Sequence, residues 1–215
     1  MKSTAEPIPF GGTMLREDRH VCAFFNSAAE EYDTLLPFVC DGIHCGQRAY
    51  HVLPDHHKED HFQRLRNAGI DVEKAIKSRQ LEVAVPEDTY LRTGRFNKDA
   101  MLVLIQDALR AGVELGFPLT RMIAHAEAAV DDWKSSNEWV EYEMRLNSVL
   151  LNYDDPVICT FDTNLPTVPH AIDILRTHPM VIIGGVLVEN NFFTRPRDFI
   201  REVQGRTEPS RSYRA

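Results

Sequence analysis

At 215 residues, 43% of them hydrophobic, the chain is long enough to close one sizeable core. Its 32 acidic against 24 basic side chains, a formal charge of −8, oppose direct nucleic-acid binding, in which Lys and Arg must neutralise phosphates. No apolar run has the length of a bilayer span, and the N-terminus lacks the charged-then-apolar order of a signal peptide, so a cytoplasmic protein without membrane contact is expected.

The first nineteen residues, with Pro7, Pro9, Gly11 and Gly12 and no hydrophobic period, read as a flexible arm. Val21 to Phe25 is an apolar run of strand length, and Ser27 with Glu30 forms a capping box that opens a helix directly after Asn26. In that helix Tyr32, Leu35, Leu36, Val39, Cys40 and Ile43 share one face, Pro37 predicts a kink and Gly46 a stop. Arg48 to Leu53 is a second strand, and His57 to Ala68 a helix stopped by Gly69. Leu81 to Val85 is a third strand, and Asp99 to Leu115 a long helix ended by Gly116. Arg121 to Ala126 is a fourth strand, and Ser135 with Glu138 is a second capping box, before a helix whose Trp139, Tyr142, Leu146, Val149 and Leu150 share a face. Val157 to Phe161, a short helix from His170 to Leu175, and a strand from Met180 to Val188 complete the series.

Nearly wholly apolar strands alternating with amphipathic helices require a mostly parallel sheet covered on both faces, a three-layer α/β domain over residues 20–203. The residues from 204 onward, with Gly205, Pro209 and scattered arginines, read as a flexible tail. Cys22, Cys40, Cys45 and Cys159 sit in apolar surroundings without a C-x-x-C, which is how reduced packing thiols look.

In such sheets ligands bind beyond the carboxyl ends of the strands. That rule selects Asn26 and Ser27, Asp55 and His56, Glu87 and Asp88, His125 and Glu127, and Asp162. Carboxylates at four of these five ends repel a bare phosphate. The turn after the first strand reads NSAAEE, with no glycine amides and no lysine to cradle phosphates, and no P-loop, G-x-S-x-G elbow or H-E-x-x-H occurs.

The ordered blocks HVCAFFNS, LLPFVCDGI, HVLPDH, RLRNAGIDV, QLEVAVPEDTYLRTGRF, EYEMRLN, DPVICTFD, RTHPMVIIGG and NNFF resemble the MEDS domain, the methanogen and methylotroph sensory domain named for a dichloromethane-responsive repressor. The resemblance covers about residues 18 to 203. It implies a degenerate RecA/KaiC-like fold, a small organic ligand, and output to a regulator or an anti-sigma-type kinase module. The missing motifs separately argue against catalysis, and a sensor that reports through its surface is expected to have a protein partner or form a homodimer. It matches His20, Asn26, Glu127, Glu143, Arg145, Asn147, Asp162, His178 and Asn191 to the family's motif positions. The chain departs from the pattern at Ala126 and Ala128, which flank Glu127 in place of methionine and tryptophan, at Phe161 for tyrosine, and at Phe192 after Asn191 for proline. A lost tryptophan enlarges a pocket, so a ligand different from that of close relatives is expected.

The expected ligand-binding set is His20, Asn26, His125, Glu127, Glu143, Asn147, Asp162 and His178, with no catalytic, cofactor or metal residue assigned. Each has a plainer role beside it. His20 can bond a neighbouring carbonyl, His178 before Pro179 can orient a loop, and Glu141 with Arg145 is an ordinary surface pair. His57 and His61 share a helical face and have the chemistry to chelate a metal, but a polar helix start explains them better. The alternative function is a residual nucleotide hydrolase using Glu127, and a ligand-free scaffold is a third.

Overall fold

The computed structural model describes residues 6–92, 94–126, 133–164 and 171–205, with backbone alone for 133–136. The chain runs β1 (Ile8–Phe10), β2 (Thr13–Leu15), β3 (His20–Phe25), α1 (Ala28–His44), β4 (Arg48–Val52), α2 (Lys58–Asn67), α3 (Val72–Lys77) and β5 (Leu81–Ala84). It continues through α4 (Lys98–Glu114), β6 (Thr120–His125), α5 (Trp133–Leu150), β7 (Val157–Asp162), α6 (Ala171–Thr177), β8 (Met180–Ile183), β9 (Val186–Glu189) and α7 (Pro196–Gln204).

Seven strands form one sheet in the order β5-β4-β6-β7-β3-β8-β9, parallel throughout except for the last pair. Period-two alternation divides each central strand between two cores. Val21 and Ala23 of β3 join Ile123 and Ile158 under α1 and α2, where Leu35, Phe38 and Leu65 are buried. Cys22 joins Met122, Cys159 and Phe161 under α4 and α5, where Ile105, Leu109, Trp139 and Leu146 are buried. The three layers and the nearly parallel sheet are those the apolar strands demanded. β4 does not neighbour β3, because β6 and β7 lie between them, and this crossover opens the crevice at the carboxyl ends.

Several elements differ from the sequence reading. The N-terminal arm carries the β1–β2 hairpin, whose Ile8, Phe10 and Leu15 are buried, with Phe10 against Phe38 at 4.3 Å. Arg19 fastens it by donating to the carbonyls of Glu6, Arg16 and Asp154. The single strand expected over Met180 to Val188 is two antiparallel strands, because Gly184 and Gly185 take positive φ of 59° and 75° and turn the chain in two residues. Helix α1 continues through Pro37. Helix α7 was not foreseen; its Phe199 and Val203 bury against Val140 and Met144 on the outer side of α5, each large side chain contributing about 2 kcal/mol of burial. Helix α5 is therefore covered on two faces. The expected tail lies outside the described residues from position 206.

Candidate functional site

At the carboxyl ends of the strands, β3, β6 and β7 finish at Phe25, His125 and Asp162, and the first turns of α1 add Ser27 and Glu31. A cavity of about 70 Å³ opens there among Ser27, Glu31, His57, His125, Thr160 and Asp162. Glu31 Oε1 meets His125 Nε2 at 3.1 Å. These two residues also border an inner chamber of about 20 Å³, room for about one water, walled by Leu35, Leu36, Leu53 and Ile123. Its polar side is a chain of rings: the Tyr32 hydroxyl lies 3.0 Å from His61 Nδ1, and His61 Nε2 lies 2.9 Å from His51 Nδ1. The chain ends at His51 Nε2, which is buried with no hydrogen-bond partner among the described residues. Burial pushes His51 well below the usual imidazole range and holds His61 down to about 4, so both rings are neutral at pH 7.

A second polar centre lies at the opposite end of the sheet. Six residues of β3, about 20 Å at 3.3 Å each, separate His20 from Asn26. Alternation turns His20 and, on β7, Cys159 to the α5 side. Helix α5 starts beyond the carboxyl end of β6 and runs back toward the strand starts. Glu143, ten residues and about 15 Å along it, therefore reaches His20 rather than the crevice. His20 Nε2 lies 3.0 Å and His178 Nε2 3.5 Å from Glu143 Oε2, and the Cys159 thiol lies 3.7 Å from Glu143 Oε1. The two imidazoles stack at 4.1 Å, and His20, Glu143, Cys159 and His178 are all at most 2% exposed. Burial raises the Cys159 thiol and lowers His178. Leaving such groups unpaired in the core costs several kcal/mol each, about the size of a large fraction of a domain's stability, so packing alone does not account for them.

The expected ligand set thus divides. His20, Glu143, Asn147 and His178 meet under α5; Asn26, His125 and Asp162 lie at the crevice; Glu127 is outside the described residues. Asn26 is engaged within the turn, its Nδ2 donating to Glu30 and its Oδ1 accepting from Thr163. Asp162 accepts from the Asn164 amides. Arg145 pairs with Asp99 at 2.6 Å on the surface, and Asn191 is exposed. His57 turns toward His125 and His61 toward His51, so the two do not form a chelate. Sequence reasoning missed Cys159, Glu31, and Tyr32 and His51 on either side of His61. The legible signal for Cys159 was its alternation with Val157 and Phe161 on the α5 face. A groove of about 500 Å³ along β4, β5 and α4, where Arg48 pairs with Glu82 at 2.7 Å, holds none of the residues above.

Known proteins place this architecture. The MEDS family model, the methanogen/methylotroph, DcmR sensory domain, matches residues 19–179, a span that begins just before His20 and ends just after His178. The transcriptional repressor DcmR of Methylorubrum extorquens is 26% identical over 162 residues, 74% of this chain and 57% of the repressor, so the chain spans just over half the length of that relative. A KaiC-like protein of Pyrococcus horikoshii OT3 superimposes with a TM-score of 0.55 at 17% identity, over 77% of this chain and 70% of that one, which establishes the RecA-like fold. Because the MEDS model matches residues 19–179, well over half of the chain, the chain belongs to the MEDS family of sensory domains.

Proposed function

We propose that the chain is a non-catalytic sensor that takes a small organic molecule into the chamber behind Glu31 and His125 and relays its presence to a regulatory partner. The observation that carries this is His51 Nε2, a buried polar atom without a hydrogen-bond partner among the described residues, on a side chain that lines the chamber opposite Leu35, Leu36, Leu53 and Ile123. The Tyr32–His61–His51 chain can be wired in either direction, so His51 offers either a hydrogen or a lone pair to one polar group of the ligand. The chamber alone holds about one water, so a small organic ligand also occupies the adjoining cavity of about 70 Å³ past Glu31 and His125, and the apolar walls supply the binding energy. The family's sensory character and the repressor among its relatives support output to a transcriptional regulator, an anti-sigma-type kinase module or a second copy of the chain.

A ligand-detected NMR screen of small neutral organic compounds tests this. Binders are expected to lose at least tenfold in affinity in His51→Leu with the fold retained. A screen with no binder, or binders indifferent to His51→Leu, contradicts the reading.

A further inference from the structure

The proton count under α5 does not close. Asn147 Nδ2 donates to the carbonyls of Glu143 and Thr177 at 2.9 and 2.8 Å, so the end that meets His20 Nδ1 at 3.1 Å is the amide oxygen. That ring nitrogen must carry the hydrogen. His178 Nδ1 lies 2.8 Å from the Ile174 carbonyl, which can only accept, so it too is the protonated nitrogen. Each neutral ring then presents a bare lone pair at Nε2. Both lone pairs converge on the Glu143 carboxylate, at 3.0 and 3.5 Å. One shared proton bridges two acceptors and strands the third, and His178 Nε2 has no hydrogen-bond partner among the described residues. Converging acceptors in a dry interior call for a cation.

We propose that this centre binds a divalent metal ion of the zinc class through His20 Nε2, His178 Nε2, a Glu143 carboxylate oxygen and the Cys159 thiolate. The spacing fits. Tetrahedral bonds of about 2.0–2.3 Å put ligand atoms about 3.3–3.8 Å apart. Here Glu143 Oε2 to His20, His178 and Cys159 measures 3.0, 3.5 and 4.0 Å, Cys159 to His20 is 3.9 Å, and all four donors lie within 4.8 Å of one another. Among the described residues no other group of histidine, cysteine and carboxylate side chains does so.

The charge fits as well. One carboxylate and one thiolate cancel a divalent ion, so the loaded centre is neutral and suits full burial. The outer contacts have the form that metal-bound histidines need, each ring donating from Nδ1 to a fixed carbonyl oxygen, of Asn147 or of Ile174. Loading exchanges the Cys159 thiol hydrogen and the proton shared between Glu143 and a histidine for the divalent ion, releasing two protons to solvent and leaving the centre neutral. Four protein donors fill a tetrahedron and leave no position for a reactive water, so the ion holds structure rather than performing hydrolysis. It ties α5 to β3, β7 and the segment before β8. This assignment stands independently of the small-molecule chamber, which lies at the other end of the strands.

Cobalt(II) tests it on the full chain, stripped with a chelator and retitrated at neutral pH. A thiolate-to-cobalt charge-transfer band saturating at one ion per chain, with the visible intensity of a tetrahedral site, is expected. A variant with Cys22, Cys40 and Cys45 all changed to Ser should keep the band, since Cys159 remains. Cys159→Ser should lose the band and bind at least tenfold more weakly. Absence of the band and of any retained ion in the stripped and retitrated wild type would overturn the proposal, as would loss of the band in the triple variant or its survival in Cys159→Ser. Because the triple variant spares every proposed ligand, the assignment stays testable even where Cys159→Ser fails to fold.

Discussion

His61 shows how a single side chain links the chamber to stability. It sits between the Tyr32 hydroxyl and His51, and burial, then the neighbouring His125, hold its pKa down to about 4, against the pull of Glu31 and Asp60. As pH falls below the ordinary imidazole value near 6.5, the unfolded chain takes up this proton and the folded chain resists until about 4. Stability conferred by neutral His61 is therefore present above about 6.5 and lost toward 4, by about 3 kcal/mol for the full shift. Asp155, pushed up to about 6 by burial, acts in the opposite sense over the same window, gaining its proton in the folded state first. The informative quantity is consequently the difference between proteins. Urea midpoints of wild type should fall more steeply from pH 6.5 to 4.5 than those of His61→Gln, and parallel curves would show that His61 titrates freely. Neither role of His61 was legible in the sequence, where it followed six other polar residues, Asp55 to Asp60, at a helix start. Only the fold turns it inward while His57 and Glu59 stay near solvent.

Among the elements, the turn between β3 and α1 occupies the place where a RecA-like fold holds phosphate. The Asn26 amide donates to Glu30 Oε2 at 2.9 Å and Ser27 Oγ accepts from the Glu30 amide at 3.2 Å. The donors an anion needs are therefore taken up by a capping box, with Glu30 and Glu31 beside them. ATP with magnesium should give no micromolar binding by calorimetry and no turnover. Phosphate release that disappears in Glu127→Gln would instead establish the hydrolase reading. This box was visible in the sequence as Ser27 and Glu30, as were the glycine stops at Gly46, Gly69 and Gly116, all at positive φ. Short elements were not. Three-residue strands such as β1 and β2 offer too few alternations to register a period, and the paired glycines at 184 and 185 interrupt an apolar run that otherwise reads as one strand.

For the whole molecule, α5 is the element that spans both ends. It starts near the crevice, packs on α4, α6 and α7, and carries Glu143 and Asn147 to the strand starts. The sequence made Glu143 and Asn147 recognisable as unusual, since spacings of four from Trp139 put them on the buried stripe. It did not show that they meet His20, Cys159 and His178, because those contacts join positions up to 127 residues apart and depend on strand order. On the proposed reading, α5 is the route by which occupancy of the chamber changes a partner surface. No α5 residue among those described lines the chamber, so the coupling passes through the sheet and is bounded by the ligand's differential affinity for two helix positions. Hydrogen exchange across residues 137–150, with and without a saturating concentration of the tightest binder from the NMR screen, tests this most directly. The account predicts altered protection along that helix in wild type and none in His51→Leu. Bound ligand with unchanged protection throughout 137–150 would contradict it.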